Sequence, residues 1–209
     1  MVVIEYIRSG GPVMIPILLA SVVAMATTLE RLWALRRGRV MPRSFRREVV
    51  ELIRQQRWGD ALAACRKRDA PAARLIEVAV VHRAEPRERI KERMEEIGRR
   101  EASDLERNLP LLGTIGSVAT LLGLLGTVGG MILTFQVIGG SDTPEVSAMA
   151  VGISQALVCT FGGLCVAIPS VVANRWLTSR VDLLTIDLEE FSIEVLDQIL
   201  APAAVAEIA

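Results

Sequence analysis

Residues 108–141 read NLPLLGTIGSVATLLGLLGTVGGMILTFQVIGGS, and from Leu109 to Ser141 they contain no Asp, Glu, Lys or Arg. About 20 apolar residues are enough for a helix to cross the roughly 30 Å hydrocarbon core of a bilayer. Six glycines lie between residues 113 and 130, and Gly126 and Gly130 form a G-x-x-x-G pair. Glycine is a poor helix former in water, but in lipid it lets a second helix approach closely. The stretch therefore predicts a transmembrane helix that packs against other helices.

Two further uncharged runs, Ser9–Leu29 and Val146–Asn174, predict two more spans. We therefore expect an all-α membrane protein with transmembrane helices at 12–34, 109–138 and 148–174. Residues 1–11 form a short stub outside and residues 139–147 a short outer loop. Residues 35–108 and 175–209 extend helices two and three into a helical bundle. The first run lacks a small-residue cleavage site and is followed by arginines, so we expect it to stay as an anchor.

The distribution of charge predicts the topology. Residues 36–108 hold 20 Lys and Arg against 13 Asp and Glu, a net charge of +7, whereas residues 176–209 hold one Arg against seven acids, a net charge of −6. The outer loop carries Asp142 and Glu145 and no basic residue. The positive-inside rule places the basic block and the tail in the cytoplasm and the N-terminus outside. Acids are interleaved throughout the basic block, which argues against a nucleic-acid partner.

The inventory of reactive side chains argues against an enzyme, a metal site or a cofactor. There are three cysteines without C-x-x-C spacing and a single histidine, His82. These exclude histidine-based zinc sites and Ser-His-Asp triads, and no phosphate-binding glycine loop occurs. The three apolar runs hold no titratable Asp, Glu, Lys, Arg or His. Either the chain carries no protons, or another protein supplies the carboxylate that a proton path needs.

The third span begins a repeat with steps of four and three residues that continues for 40 residues. Its members are Ala156, Thr160, Gly163, Ala167, Ser170, Asn174, Leu177, Val181, Leu184, Leu188, Phe191 and Val195. A period of 3.5 residues is typical of a helix that packs along its whole length. We expect the small members, together with Gly126 and Gly130, to pack helices in lipid, and Leu184, Leu188 and Phe191 to join copies of the chain. Packing within one chain remains the alternative, because a period does not name the partner.

Spans two and three share the local pattern L-x-x-T-x-G-G, at Leu124–Gly130 and Leu157–Gly163. Thr127 and Thr160 then fall near the bilayer midplane, where two hydroxyls are able to line a narrow polar path. The alternative is that each hydroxyl bonds to a carbonyl of its own helix and merely bends it. Gln155 adds an amide, which is costly in lipid unless it finds partners.

Prolines and caps predict the helices of the basic block. Pro42, Pro71 and Pro86 precede helical patterns, and Asp60 is expected to cap a short helix. The helix from Arg87 has no breaker before Pro110, which predicts a stem that continues into span two.

These residues resemble the MotA/TolQ/ExbB proton-channel family. The resemblance covers GPVMIPILLASVVAMATTLERL, GDALAACRKRDAP, LLGLLGTVGGMI and GISQALVCTFGGLCVAIPSVVANR, and so nearly the whole chain. Three spans are similar to the TolQ/ExbB branch, since the flagellar MotA proteins have four.

The resemblance implies an inner-membrane homo-oligomer, a pentamer, whose pore holds a single-span partner similar to ExbD or TolR with an intramembrane Asp. Proton flow would drive motion that passes to a periplasm-spanning protein similar to TonB or TolA. Thr127 and Thr160 would be pore threonines facing that Asp. Gln155 stands where the branch usually has Glu, and Thr120 where it often has Pro. A membrane scaffold that passes no ions is the alternative function.

Overall fold

The computed structural model describes residues 10–139 and 146–200. Within these ranges all regular structure is helical, which confirms the all-α class. The helices are α1 (Met14–Ala34), α2 (Arg37–Val40), α3 (Arg43–Arg54), α4 (Trp58–Arg66), α5 (Pro71–Val81), α6 (Arg87–Glu106), α7 (Leu109–Gly139) and α8 (Val146–Leu200). Three of the helical stretches are long and apolar enough to cross a membrane. Most of the expected N-terminal stub and outer loop, and the last nine residues, lie outside the described residues.

Helix starts in the basic block follow the prolines. Pro71 is the first residue of α5, and Pro42 and Pro86 stand immediately before α3 and α6. Proline suits these positions because the first turn of a helix has no partner for its N–H groups. The cap expected at Asp60 is wrong, because α4 already begins at Trp58. Asp60 lies in the first turn instead and accepts a hydrogen bond of 2.8 Å from Nε of Arg57.

The stem expected from Arg87 into span two is interrupted at Arg107 and Asn108. Arg107 has an extended backbone, with ψ 137°, and Asn108 has φ +69°. Asn tolerates the left-handed region better than most residues, since its short polar side chain bonds locally. Pro110 follows in the first turn of α7. A helical turn directly before it is disfavoured, because the proline ring would clash with a backbone carbonyl of that turn. The sequence therefore starts a new helix at Leu109.

The chain divides into two compact units. The membrane unit consists of Met1–Arg31 and Asn108–Trp176, and the charged unit of Leu32–Arg107 and Leu177–Ala209. The core of the charged unit is made of large side chains from α3, α5, α6 and the second half of α8. Its fully buried members include Phe45, Val49, Ile53, Ile76, Ile90, Leu177, Leu184 and Phe191.

Ion pairs connect the basic helices of the charged unit with the acidic half of α8. Arg37 contacts Asp187 at 3.0 Å, Arg46 contacts Glu194 at 2.5 Å and Arg87 contacts Asp197 at 2.7 Å. All three pairs are exposed in part, so each contributes about 0–1 kcal/mol. The +7 block and the −6 tail thus attract each other within one chain, where their ion pairs supplement the apolar core.

One ion pair of the charged unit is half buried. Arg74 donates from Nε and Nη2 to the two carboxylate oxygens of Glu101, both at 2.7 Å, and it also bonds Asp69. The Glu101 side chain is almost fully buried. The hydrogen bond to Glu101 raises the pKa of Arg74 above its usual value. This two-pronged contact joins α5 to α6 in a fixed register.

Candidate functional site in the membrane unit

Glycines bring the backbones of α7 and α8 into direct contact. A Cβ atom added to Gly126 would lie 2.2 Å from Cβ of Cys159. One added to Gly130 would lie 2.6 Å from the carbonyl oxygen of Gly152, and one on Gly163 would lie 2.6 Å from that of Ala119. No side chain fits at these distances, so the two helices pack at a separation that only glycine permits. Gly126, Gly130 and Gly163, for which the sequence predicts a packing role, lie in this contact.

Apart from Ile115, the buried residues of α7 recur with the same steps of three and four residues as the repeat on α8. They are buried and mostly small: Leu109, Leu112, Gly116, Ala119, Gly123, Gly126, Gly130 and Thr134. As the residue numbers on α7 rise, those of their contacts on α8 fall, so the helices run antiparallel. Sequence reasoning did not single out Gly116, Gly123 and Gly152 as contact residues. The spacing of seven residues from Gly116 to Gly123 and from Gly123 to Gly130 is a sequence pattern that identifies the first two as contact residues.

The long repeat on α8 is buried inside one chain along both halves. In the membrane unit Ala156 and Ala167 are buried beside Gly163. In the charged unit Leu184, Leu188 and Phe191 are 1%, 6% and 0% exposed. A second copy of the chain therefore finds almost no surface of these three side chains to contact. The structure favours the alternative reading of the repeat, packing within one chain, over the expected contact between copies.

The two threonines of the shared pattern bond in different ways. The Thr127 hydroxyl donates to the carbonyl oxygen of Leu124 in its own helix, at 2.6 Å. The Thr160 hydroxyl instead crosses to α7 and donates to the carbonyl oxygen of Gly123, at 3.2 Å. Since Gly126 packs on Cys159, Thr127 and Thr160 lie at about the same level of the antiparallel pair. No hydrogen bond between the two hydroxyls is found among the described residues. Thr127 thus bonds within its own helix, as in the alternative interpretation, and Thr160 does not.

Gln155 lies against the start of span one. A Cβ atom on Gly11 would be 2.2 Å from Nε2 of Gln155, and Gly11 has φ +66°. Glycine suits that position because its backbone is left-handed, and a larger residue there would also displace the Gln155 amide. The residue before Gly11 also contacts α8: the carbonyl oxygen of Gly10 accepts a hydrogen bond from the Cys159 thiol at 2.8 Å. The Gly10–Gly11 turn therefore holds span one against α8 at the depth of Gln155.

A second amide, Gln136, accompanies Gln155. Both line an open groove of about 380 Å³ between the C-terminal part of α7 and the N-terminal part of α8. The other lining residues are apolar: Leu133, Val137, Val151 and Gly152. Sequence reasoning missed Gln136, although an amide within an apolar run is a signal in its own right.

The outer faces of α7 and α8 carry the large apolar side chains that the contact between them lacks. On α7 these include Leu121, Leu124, Leu125 and Val128, and on α8 Leu157, Phe161, Leu164 and Ile168, all of them exposed. Exposed leucine and phenylalanine at such density suit lipid or the spans of other subunits. Small residues thus lie at the contact between α7 and α8, and large apolar residues lie on the outer faces of the two helices.

Comparison with known proteins assigns these features to a family. Residues 67–190, more than half of the chain, match the model of the MotA/TolQ/ExbB proton channel family. The chain belongs to this family. It is 33% identical over 181 residues to a protein of Methanothermobacter thermautotrophicus named as a homologue of the biopolymer transport protein ExbB. That alignment covers 86% of this chain and 64% of the relative, so the chain spans somewhat less than two thirds of the relative's length.

Two bacterial relatives support the ExbB/TolQ branch. The chain is 30% identical over 214 aligned residues to the biopolymer transport protein ExbB of Neisseria meningitidis serogroup A, covering 87% of this chain and 90% of the relative. It is 38% identical over 92 residues to the Tol-Pal system protein TolQ of Haemophilus influenzae, covering 44% and 40%. The chain is accordingly an ExbB/TolQ-like, multi-pass inner-membrane protein, as its motifs indicated.

Proposed function

We propose that this chain is the channel-forming subunit of a motor driven by the proton-motive force. Five copies surround a single-span partner similar to ExbD or TolR. Proton flow through the assembly does mechanical work on the cell envelope through a periplasm-spanning protein similar to TonB or TolA. The N-terminus lies in the periplasm and the C-terminus in the cytoplasm.

The observation that supports the proposal most directly is the chemistry of the spans. In a family of proton channels, α7 and residues 146–174 of α8 offer hydroxyls and amides but no titratable Asp, Glu, Lys, Arg or His. A proton path through lipid requires a titratable carrier. A carboxylate on a partner span supplies that carrier, and the hydroxyls of this chain then serve as its neighbours.

Thr127 and Thr160 have the chemistry for such a role. Each hydroxyl donates its proton to a carbonyl, so the lone pairs of the oxygen remain to accept a hydrogen bond. The two residues lie at the same level, one on each helix of the pair. We propose that they accept a hydrogen bond there, from the partner's protonated acid or from a water molecule beside it.

Proton flux into liposomes that hold the complex with its partner tests this function. Thr127→Val and Thr160→Val together delete both hydroxyls and keep the side-chain shape. We expect the flux of this double variant to fall by orders of magnitude, each tenfold corresponding to about 1.4 kcal/mol of barrier. Thr→Ser at both positions keeps the hydroxyls and is expected to retain most of the flux.

Thr114→Val is the matched control for that experiment. Thr114 is exposed on α7 and donates to the carbonyl oxygen of Pro110 in its own helix, at 2.9 Å. Its removal also deletes a membrane hydroxyl, but outside the Thr127–Thr160 level. Wild-type flux in the double variant, with an intact complex, would contradict the proposed roles of Thr127 and Thr160.

Gln155→Glu restores the acid that the family pattern usually has there. A carboxylate next to the Gly10–Gly11 turn titrates, whereas the amide does not. We expect the pH dependence of proton flux to change in this variant while flux itself persists. An unchanged pH profile would place Gln155 in packing alone.

A membrane scaffold that passes no ions is the second candidate function. It is favoured by the observation that the hydroxyls of Thr127 and Thr160 both donate their protons to carbonyl oxygens of α7. A scaffold predicts that a complex with a single-span partner forms and stays intact, with no flux in the wild-type protein. The same liposome measurement therefore separates the two functions.

A further inference from the structure

In the charged unit, α8 has a second apolar face that residues 10–139 and 146–200 of its own chain leave exposed. Leu183, Ile186 and Ile193 are 54%, 51% and 56% exposed. Their spacing of three and seven residues places them on one side of the helix, opposite the buried repeat that contains Leu184 and Leu188. Large aliphatic side chains on both sides of a helix in water are typical of a helix with two partners.

The acidic residues of this half of α8 fall into two groups. Asp187, Glu194 and Asp197 pair with arginines of the same chain. Asp182, Glu189 and Glu190 are exposed around Leu183, Ile186 and Ile193, and none of the three forms an ion pair within residues 10–139 and 146–200. We call these six residues the acidic–apolar face: Asp182, Leu183, Ile186, Glu189, Glu190 and Ile193.

An opposite charge lies on the outer side of α3. Phe45, Val49 and Ile53 bury one side of this helix in the core. On the other side Arg43, Arg47 and Arg54, at spacings of four and seven residues, are exposed, and Val50 between them is half buried. These three arginines make no ion pair with any described residue. We call Arg43, Arg47, Val50 and Arg54 the basic face.

The chemistry of the acidic–apolar face decides between possible occupants. An anionic membrane surface repels Asp182, Glu189 and Glu190, and so does a nucleic acid. The face suits a protein surface that presents arginines, whose long aliphatic stems cover apolar side chains while their guanidinium groups reach carboxylates. The basic face of α3 has this composition, and in its own chain it points away from the core.

We propose that the acidic–apolar face of one copy of this chain binds the basic face of α3 in the next copy. Two different faces of the same chain then meet, which is a head-to-tail contact, and such contacts generate closed rings when the rotation closes. The inference rests on the oligomer of the proposed function and specifies the surface that builds it. It also replaces Leu184, Leu188 and Phe191, which are buried, as the residues that join copies.

Charge reversal and its rescue test this contact. One variant carries Glu189→Arg and Glu190→Arg, a second carries Arg43→Glu and Arg47→Glu, and a third carries all four changes. Native mass spectrometry of the detergent-extracted protein reports the fraction of oligomer. Because like charges then face each other, we expect at least about a tenfold loss of oligomer in each of the first two variants. The third variant re-forms opposite pairs and is expected to recover the oligomer.

Glu88→Arg with Glu92→Arg is the matched control. Glu88 and Glu92 are exposed acids on α6 that also lack an ion pair among the described residues. This variant changes the net charge as much as the first one but lies outside both faces, so its oligomer should persist. A helix content equal to that of the wild-type protein, measured by circular dichroism, confirms that the exposed substitutions leave the fold intact.

A cross-link provides a second measurement that does not depend on charge. In a Cys165→Ala background, Ile186→Cys is expressed in one copy and Val50→Cys in a differently tagged copy. We expect oxidation to join the two tags, and Val81→Cys in place of Val50→Cys to give no such product. Val81 is exposed on α5, which is a different helix from the one that carries the basic face.

The outcomes separate this inference from the proposed function. Absence of any oligomer in the wild-type protein would contradict the oligomeric channel itself. An intact oligomer in both reversal variants would overturn the inference alone. Loss in each reversal without recovery in the four-fold variant, and without a cross-link, would show that the two faces contact other surfaces of the oligomer and not each other, which also overturns it.

Discussion

The two halves of α8 have the same spacing of buried residues, but the buried residues are small in one half and large in the other. In the membrane unit the buried positions are Ala156, Gly163 and Ala167, and they meet glycines of α7. In the charged unit the same steps of three and four place Leu184 and Phe191 in a core of large side chains. In lipid the hydrophobic effect does not drive helices together, so close packing of the backbones stabilises the first half. In water, burial of apolar area holds the second half.

The difference shows that the period of a helix determines which side packs, whereas the solvent determines the size of the residues there. It also predicts opposite responses to substitution. Adding atoms should damage the membrane half, and removing atoms should damage the charged half.

The largest expected effect is the insertion of side chains between α7 and α8. In the double variant Gly126→Val and Gly130→Val, the new Cβ atoms alone would lie 2.2 Å from Cβ of Cys159 and 2.6 Å from the oxygen of Gly152. The obstacles are backbone and Cβ atoms, which no rotamer change removes. We expect a destabilisation beyond the roughly 1–3 kcal/mol of ordinary overpacking, and loss of folded protein after detergent extraction.

Gly129→Val is the matched control for that variant. Gly129 lies on the same turn of α7, and a Cβ atom there would have no neighbour within 4 Å. Folded protein in the double variant at the level of this control would mean that the helices separate without cost, against the small-residue account of the membrane half.

The next effect is a cavity in the charged half. Leu184→Ala removes a side chain that is 1% exposed. Truncation of a buried leucine lowers the free energy of unfolding by about 2–5 kcal/mol. Val81→Ala, at a side chain that is 47% exposed, should change it by less than about 0.5 kcal/mol. Denaturant titration followed by circular dichroism measures both, and equal losses would refute the comparison between buried and exposed sites.

Much of this comparison could be predicted from the sequence. The uncharged runs give the three spans, Pro42, Pro71 and Pro86 give helix starts, and the 3.5-residue period gives the buried side of α8. The period does not show which partner the buried side contacts. Leu184, Leu188 and Phe191 were therefore expected between copies of the chain, whereas the structure buries them inside one chain.

Other features depend either on contacts between segments far apart in sequence or on a local conformation that several residues permit. Gln155 is recognisable as an amide in lipid, but its neighbour Gly11 is 144 residues away along the chain. The break at Arg107 and Asn108 follows from a local conformation, φ +69° at Asn108, that asparagine permits without requiring it. A repeating sequence pattern indicates which side of a helix packs and how long the helix is. It does not identify a single contact between distant residues or a local break in a helix.

Cys65 provides a smaller and pH-dependent test of the charged core. Burial, and then the negative charge of Glu77, raises the pKa of this thiol from 9.0 to about 12. At pH values between these two, the unfolded chain releases the proton and the folded chain keeps it. The free energy of unfolding should therefore fall as the pH rises above 9, by about 1.4 kcal/mol per pH unit.

Cys65→Ala is expected to lack this part of the pH dependence, and the difference between the two proteins isolates the thiol. For the same reason Cys65 should react slowly with maleimide in the folded protein, while Ala84→Cys, at an exposed site, reacts at once. Equal labelling rates at the two sites would show that the thiol is not in the core.

The smallest expected effect concerns a single hydrogen bond in the membrane half. Thr160 donates across the helix pair to the carbonyl oxygen of Gly123, at 3.2 Å, whereas Thr127 donates within α7 to that of Leu124, at 2.6 Å. Bonds between membrane helices contribute about 0.6 kcal/mol on average, because the separated helices also find partners. Thr160→Val should lower the free energy of unfolding by about this amount, and Thr127→Val by less, since its bond does not join two helices. Reversible unfolding in mixed detergent micelles, with Thr114→Val as the reference for a bond within α7, resolves such differences when the variants are measured side by side. A cost for Thr127→Val equal to that for Thr160→Val would show that glycine contacts alone, without the cross-helix bond, determine how tightly the membrane half is held.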